Sequence, residues 1–236
     1  MNAAREQILS SIRSSLKRGR LDPGREAELR ARVTARGRNL IPARASALDH
    51  PARIDLFVAM AEEVQATVAR VNSFAAVPEA VARYLAEENL PAELVLAPDP
   101  NLDDIPWDAR PLLRIRRGRA EAGDAVSLTP CFAAIAETGT VMLISAADTP
   151  TTLNFLPDTH IVVVRQSQVV ATYEDGWDRL RAACAGHRLP RAINFITGPS
   201  RTGDIEQRIE LGAHGPRRLH VILVDDREEE DEHEGQ

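Results

Sequence analysis

The 236-residue sequence predicts an α/β fold, a mixed, mostly parallel sheet flanked by helices, with an N-terminal helical arm ahead of it. Three observations lead there. Strand-like runs alternate with helix-like segments over residues 54–97 and again beyond residue 173. The stretch between them is richer in short β-type runs, which calls for some antiparallel strands. The last two strand-like runs stand about twenty residues apart, enough for a crossover helix.

The elements follow in order. Asn2 can cap a helix whose Ile8, Leu9, Ile12 and Leu16 fall at helical spacing, ending near Gly19, and a second, Arg-rich helix runs from Arg25 to Arg36. These form an arm over residues 1–50. Leu56 to Gln65 reads as helix and Thr67 to Val71 as strand; Pro78 opens a helix to Glu88, and Glu93 to Ala97 is a strand. After a Pro-rich loop from Pro98 to Pro111 come Leu112 to Ile115, the paired runs Cys131 to Ala136 and Thr140 to Ser145, then Ile161 to Val164 and Gln168 to Ala171. Tyr173 to Gly186 is helical, with Trp177, Leu180 and Cys184 on one face. A strand from Ala192 to Ile196, a helix from Thr202 to Leu211 and a strand from Leu219 to Val224 complete the α/β body, residues 51–225.

Apolar residues make up 44% of the chain, enough for a core. The net charge of −6 is unevenly placed. Residues 225–236 hold eight acids and one Arg, so the remaining 224 residues are close to neutral, and an acidic tail over 226–236 is expected to be disordered. Residues 1–50 hold eleven Lys and Arg against five acids. No aromatic residue precedes Phe57 to stack on a base, so nucleic acid is not the expected partner.

Cys131 and Cys184 are too few for a disulfide framework or a self-contained four-thiolate iron–sulfur cluster. With no apolar stretch of a secretory signal in Met1 to Ser15, the expected location is cytoplasmic. Ala125 to Ala147 carries only Glu137 as a charge, but Pro130 and Glu137-Thr138-Gly139 divide it into two short strands rather than a membrane span.

The stretch Thr197-Gly-Pro-Ser-Arg-Thr-Gly-Asp-Ile-Glu206 carries the strongest chemical signal. A strand opening through such a loop into a helix frees backbone N–H groups at the positive end of the helix dipole. Gly198 and Gly203 have the spacing of a phosphate-binding loop, but Asp204 stands where the lysine is needed and would repel phosphate. No G-x-G-x-x-G fingerprint occurs anywhere. A small-anion site remains, with Arg201 as guanidinium donor and Ser200 and Thr202 as hydroxyl donors. The alternative is that Thr202 merely caps the helix.

Glu137, between two apolar runs, could serve as acid, base or nucleophile with a raised pKa, or be a hairpin-turn carboxylate in water. His214, in Gly212-Ala-His-Gly-Pro216, could act as acid, base or donor, or belong to a helix cap. Asn154 is a polar group in an apolar loop, aimed at a cleft or making a turn. His160 with Asp158, and His214 with His220, match no zinc spacing, so no metal is expected.

Together, Ile135-Ala-Glu-Thr-Gly-Thr-Val141, Leu156-Pro-Asp-Thr-His-Ile-Val-Val-Val164, Thr197 to Glu206, Gly212-Ala-His-Gly-Pro216 and Leu219-His-Val-Ile-Leu223 resemble the ordered signatures of the lactate-utilization protein C family, the LUD domain. The resemblance covers about residues 50 to 225; Gly203 stands where alanine is expected, which lowers helix propensity by up to about 1 kcal/mol.

The resemblance implies a fold similar to the sugar-phosphate isomerase, glucosamine-phosphate deaminase and CoA-transferase group, with ligands beyond strand C-terminal ends. It also implies a component of a bacterial system that oxidises L-lactate to pyruvate, an accessory subunit whose iron–sulfur clusters sit in partner proteins and which holds no cofactor itself. A free-standing isomerase or acyl-transferase acting on a small anion is the alternative. The candidate site has Glu137 and His214 in catalytic roles, with Thr138, Gly139, Thr140, Asn154, Gly198, Ser200, Arg201, Thr202 and Asp204 around a small carboxylate or phosphate.

Overall fold

The α/β fold that the sequence predicts is built, in the computed structural model, from a six-stranded parallel sheet and a four-stranded mixed sheet flanked by helices, with a separate two-stranded ribbon. The structure describes residues 2–17, 19, 21–35, 37–38, 40–184, 188–205 and 208–226. The chain divides into one unit ending at Leu40 and a second beginning at Ile41.

The first unit contains helices α1 (Asn2–Ser15) and α2 (Pro23–Ala35). Asp22 accepts from the Arg25 backbone N–H at the start of α2, with Pro23 at the first helical position, where its missing N–H does no harm. Arg30 pairs with Glu26 one turn back. Ile8 and Ile12 of α1, and Leu16 just after it, are exposed at four-residue spacing.

The second unit begins with α3 (Ala43–Ser46) and α4 (His50–Glu63), then β1 (Thr67–Val71), α5 (Val77–Glu87), β2 (Glu93–Leu96), β3 (Arg114–Arg117), β4 (Val126–Pro130), β5 (Ala133–Ile135) and β6 (Thr140–Ile144). It continues through α6 (Thr152–Phe155), β7 (Thr159–Arg165), β8 (Val169–Val170), α7 (Tyr173–Ala183), β9 (Ile193–Ile196), β10 (Arg201–Ile205), β11 (Arg208–Leu211) and β12 (Arg218–Val224). Residues 41–50, read from sequence as the end of the arm, lie within this unit: Ala45 is fully buried, and Asp49 caps α4 through the Ala52 N–H.

One sheet has six strands, all parallel, in the order β1-β12-β7-β4-β2-β3. The other has four, β8-β5-β6-β9, with β6 antiparallel to both neighbours. Central β7 is apolar on both faces, as a buried parallel strand must be. On one face α5 packs Val77, Val81 and Leu85 against Leu128, Ile161, Val163 and Ile222. On the other, the second sheet and α4 pack Val141, Leu143, Phe57 and Ala61 against Val162, Val164, Val221 and Leu223. Beyond the second sheet, α7 adds Leu180 and Trp177 over Met142 and Phe195. Thr172 and Asp175 form a capping box at the start of α7.

The strand order creates a switch point. The chain leaves β2 toward β3 at one edge but leaves neighbouring β4 in the opposite direction, toward β7 and β12. Their C-terminal ends diverge there, which opens a crevice in parallel sheets.

Several expectations need correction. Ala125 to Ala147 yields three strands: Pro130 ends β4, and the chain crosses into the second sheet at Cys131. In place of the helix expected from Thr202 to Leu211, Arg201–Ile205 and Arg208–Leu211 pair as antiparallel β10 and β11, with a bulge between Thr202 and Ile205. Backbone bonds from Ser200 N–H to the Pro216 carbonyl and from Gly212 N–H to the Ser200 carbonyl hold the entry to this segment extended, overriding an ambiguous apolar spacing. β9 and β12 accordingly belong to different sheets and are not joined by a crossover helix.

Asp226, assigned from sequence to the tail, is buried and accepts hydrogen bonds from Ser167 N–H and Oγ. The rest of the acidic tail lies outside the described residues. Among the described residues, no helix is long and apolar enough to cross a membrane.

Candidate functional site

The Thr197 to Arg201 loop folds over the C-terminal end of α4. Gly198 has φ of +73°, and a Cβ there would lie 2.3 Å from the Val64 carbonyl oxygen, so both conformation and space require glycine. Arg201 Nη2 donates to the same carbonyl at 2.5 Å, satisfying one of the acceptors a helix end leaves free. Among the described residues the loop runs into strand β10 and not into a helix, so the dipole argument for anion binding loses its helix. What remains is side-chain and loop chemistry.

A cavity of about 270 Å³ lies under the loop. It gathers Asn154 from α6, Gly198, Ser200 and Arg201 from the loop, and His214 from the segment before β12. Phe155, Phe195, Ile196 and Leu219 give it apolar walls. Ser200 Oγ, the His214 ring and the remaining Arg201 donors have no partner among the described residues, so they are available to an anion. Thr202 lies outside this wall, and the Asp204 side chain lies outside what the structure describes.

Glu137 lies in the turn between β5 and β6. It is buried, not solvated, and its Oε1 accepts from the Tyr173 N–H at 2.9 Å, the first turn of α7. Its carbonyl accepts from Arg44 Nη2. The carboxylate caps a helix and is not among the cavity's walls. Gly139, at φ +63°, lies against α4 as Gly198 does: a Cβ would come 2.2 Å from the Ala61 nitrogen.

Hydroxyls link the two motifs. Thr140 Oγ1 lies 2.7 Å from Thr138 Oγ1, 3.0 Å from the Tyr173 hydroxyl and 2.7 Å from Thr197 Oγ1. Thr140 is fully buried, whereas Thr197 lines the cavity. Thr138, Gly139 and Thr140 therefore stand behind the cavity, connected to it through Thr197. Sequence reading missed Thr197 and Tyr173 as site residues; only the hydroxyl side chain of Thr197 beside Gly198 hinted at the former.

The two histidines of the sheet each pair through one ring nitrogen, and the other, His160 Nδ1 or His220 Nε2, has no partner among the described residues. His160 Nε2 pairs with Thr129 Oγ1 at 2.8 Å, and burial pushes the ring down to about 3, so it is neutral at ordinary pH. His220 Nδ1 pairs with Thr67 Oγ1 at 2.7 Å and stacks on Tyr84, with centroids 3.8 Å apart. Burial, with Arg83 adding repulsion, pushes it down to about 4. Burial pushes the Cys131 thiol up to about 12, leaving it protonated. Among the described residues, no three His, Cys, Asp or Glu side chains gather where a metal could sit.

A double-sheet α/β protein with a Gly-Pro-Ser-Arg loop roofing a small polar cavity is the class that fold and site define. The chain belongs to the LUD domain family, whose model matches residues 54–224. It is 42% identical over 122 residues to the lactate utilization protein C of Deinococcus radiodurans, covering 51% of this chain and 54% of that protein. It is 37% identical over 131 residues to the protein of the same name from Geobacillus sp., covering 55% and 54% of the two chains. The corresponding protein of Bacillus subtilis is 40% identical over 103 residues, 43% of each chain.

The chain thus spans about half the length of the curated relatives it matches. A crystal structure of a DUF162 family protein from Deinococcus radiodurans matches with a TM-score of 0.57 at 28% identity, over 75% of this chain and 99% of that one.

Proposed function

We propose that this chain is a component of a bacterial lactate utilization system and that its loop cavity takes a small carboxylate. The observation that carries the reading is the cavity itself: Ser200 Oγ and the His214 ring have no partner among the described residues, and Arg201 keeps donors beyond the one given to the Val64 carbonyl, in a chain of the LUD domain family similar to lactate utilization proteins. A guanidinium with spare N–H donors beside a hydroxyl matches a carboxylate. Arg201 is exposed, so its charge contributes modestly, and the hydroxyl and apolar walls supply the rest.

The chain acts as an accessory subunit in the oxidation of L-lactate to pyruvate, and the iron–sulfur clusters belong to partner proteins. Its two cysteines fall short of a four-thiolate set, and one of them is a buried, protonated thiol. Deleting the gene should abolish growth on L-lactate as sole carbon source; unimpaired growth, with no second copy present, overturns the reading. Calorimetric titration of L-lactate and inorganic phosphate into wild type and Ser200→Ala tests the cavity, and equal binding in both proteins removes Ser200 from it.

A further inference from the structure

An edge strand presents unpaired N–H and C=O groups, and natural sheets guard their edges with charge, proline or shortness. Among the described residues the two larger sheets have four edge strands, and three are guarded. β3 carries Arg114, Arg116 and Arg117, β1 carries Arg70, and β8 has only two residues. β9 is the exception: it pairs with β6 alone, and no charged residue occurs between Arg191 and Arg201.

The register tells which of its groups are free. Ser145 N–H donates to the Ala192 carbonyl and Ile144 stands opposite Ile193, so Ala192, Asn194 and Ile196 turn their backbone groups toward β6. Ile193 and Phe195 turn theirs outward, where they make no backbone bond among the described residues. Asn194 stands between them, its Nδ2 buried without an acceptor. Apolar surface flanks the strand: Leu189 is 54% exposed, and Phe155, which shares a cavity with Phe195, is 45% exposed.

We propose that β9 is a self-association strand, pairing antiparallel with β9 of a second copy about a two-fold axis at Asn194, so that the partner's Arg191 joins the mouth of the loop cavity. A strand without charge does not repel its own copy, and a closed two-fold pairing leaves only guarded edges. Pro190 and Gly198, at φ +73°, bound the run from Arg191 to Thr197, whose midpoint is Asn194. With the axis there, Ile193 exchanges both backbone bonds with the partner's Phe195, and Phe195 does so with the partner's Ile193. Asn194 and the partner's Asn194 become a non-hydrogen-bonded pair, with Cα atoms about 4.5 Å apart and side chains on one face. Turning each amide about its soft terminal torsion lets it donate to the other, which gives Nδ2 the acceptor it lacks.

One hydrogen-bonded pair further out, the partner's Arg191 stands opposite Thr197 on the same face. Arg191 is exposed and has no ion-pair partner among the described residues, while Thr197 lines the loop cavity. A guanidinium there complements a bound anion. This part rests on the reading that the cavity takes an anion; the strand pairing does not.

Sedimentation velocity of the full chain should show a dimer that dissociates on dilution. Asn194→Asp sets two carboxylates across the axis at pH 7 and should weaken the dimer about tenfold. In a Cys184→Ser background, oxidised Asn194→Cys should give a disulfide-linked dimer, because the paired Cα atoms fall within disulfide reach, and Arg116→Cys on β3 should not. A monomeric wild type, a dimer unmoved by Asn194→Asp, or one that Asn194→Cys fails to link overturns the pairing. Calorimetric titration with inorganic phosphate tests Arg191: Arg191→Ala should stay dimeric and bind about threefold more weakly. Equal affinity removes Arg191 from the cavity. If neither protein binds phosphate, the anion reading of the cavity falls with the role of Arg191, and sedimentation decides the pairing by itself.

Discussion

Gly139 and Gly198 rest against one end of the same helix. A Cβ on the first would lie 2.2 Å from the Ala61 nitrogen, and a Cβ on the second 2.3 Å from the Val64 oxygen, both backbone atoms of the last turn of α4 and its cap. The two motifs that stand out in the sequence are therefore joined through a third segment, which carries no motif.

Replacing either glycine by alanine sets a methyl group on backbone that cannot yield, at a positive φ. Each change should destabilise the protein by about 2–4 kcal/mol, measured by urea unfolding. Gly203→Ala is the control: nothing lies within 4 Å of its Cβ position, and its effect should stay within about 0.5 kcal/mol. Similar midpoints for all three variants would refute the packing.

Glu137 tests capping against chemistry. Glu137→Gln retains an oxygen for the Tyr173 N–H and loses only the charge at the start of α7, worth about 0.3–1 kcal/mol. Glu137→Ala leaves that N–H without its partner and should lose about 1–3 kcal/mol. Growth on L-lactate should survive Glu137→Gln. A Gln variant of normal stability that abolishes growth would show that the charge, not the cap, is needed.

Acid should weaken the fold through two histidines. Burial holds His160 at about 3 and His220 at about 4, against 6.5 for a free imidazole. The unfolded chain takes up protons that the folded chain refuses, so this stability is complete above pH 6.5 and is lost as pH falls toward 4 and then 3. At pH 5 the loss is about 2 kcal/mol for each histidine. Urea midpoints should fall from pH 8 to pH 5, and His160→Gln should reduce the slope; a flat profile would contradict the burial.

Thiol chemistry separates the two cysteines. Cys184 is half-buried, whereas Cys131 is buried with its thiol raised to about 12. An aromatic disulfide reagent at pH 8 should modify one thiol per native chain and two in urea. Rapid modification of both in the native protein would mean that Cys131 is open.

Much of the fold was legible because periodicity fixes element type. The Ile161 to Val164 run reads as a strand and lies within Thr159–Arg165, and the helix read from Tyr173 begins at that residue. Sheet membership was not legible. A run such as Val141 to Ile144 is apolar without alternation, and nothing local distinguishes a strand that pairs in parallel with β7 from one antiparallel to β9. Residues 202–211 misled because Ile205 and Ile209 stand four apart, a helical spacing, while the bonds that extend the segment come from Gly212 and Pro216.

The site divides the same way. Asn154, Gly198, Ser200, Arg201 and His214 share a cavity, each visible as a polar or glycine residue in a punctuated loop. Glu137's partner, Tyr173, lies 36 residues away, beyond the reach of any local pattern.

The buried hydroxyls behind the cavity have only one proton each to give. Three neighbours surround Thr140 Oγ1, but it can donate to one and accept from the others. When an anion accepts a hydrogen bond from the Thr197 hydroxyl, Thr197 oxygen accepts from Thr140, Thr140 accepts from Tyr173, and Tyr173 accepts from Thr138. The sign of the charge in the cavity thereby sets the direction of every O–H dipole as far as the first residue of α7. The row aligns toward a negative guest, each bond strengthening the next, and reverses for a positive one without any atom heavier than hydrogen changing place.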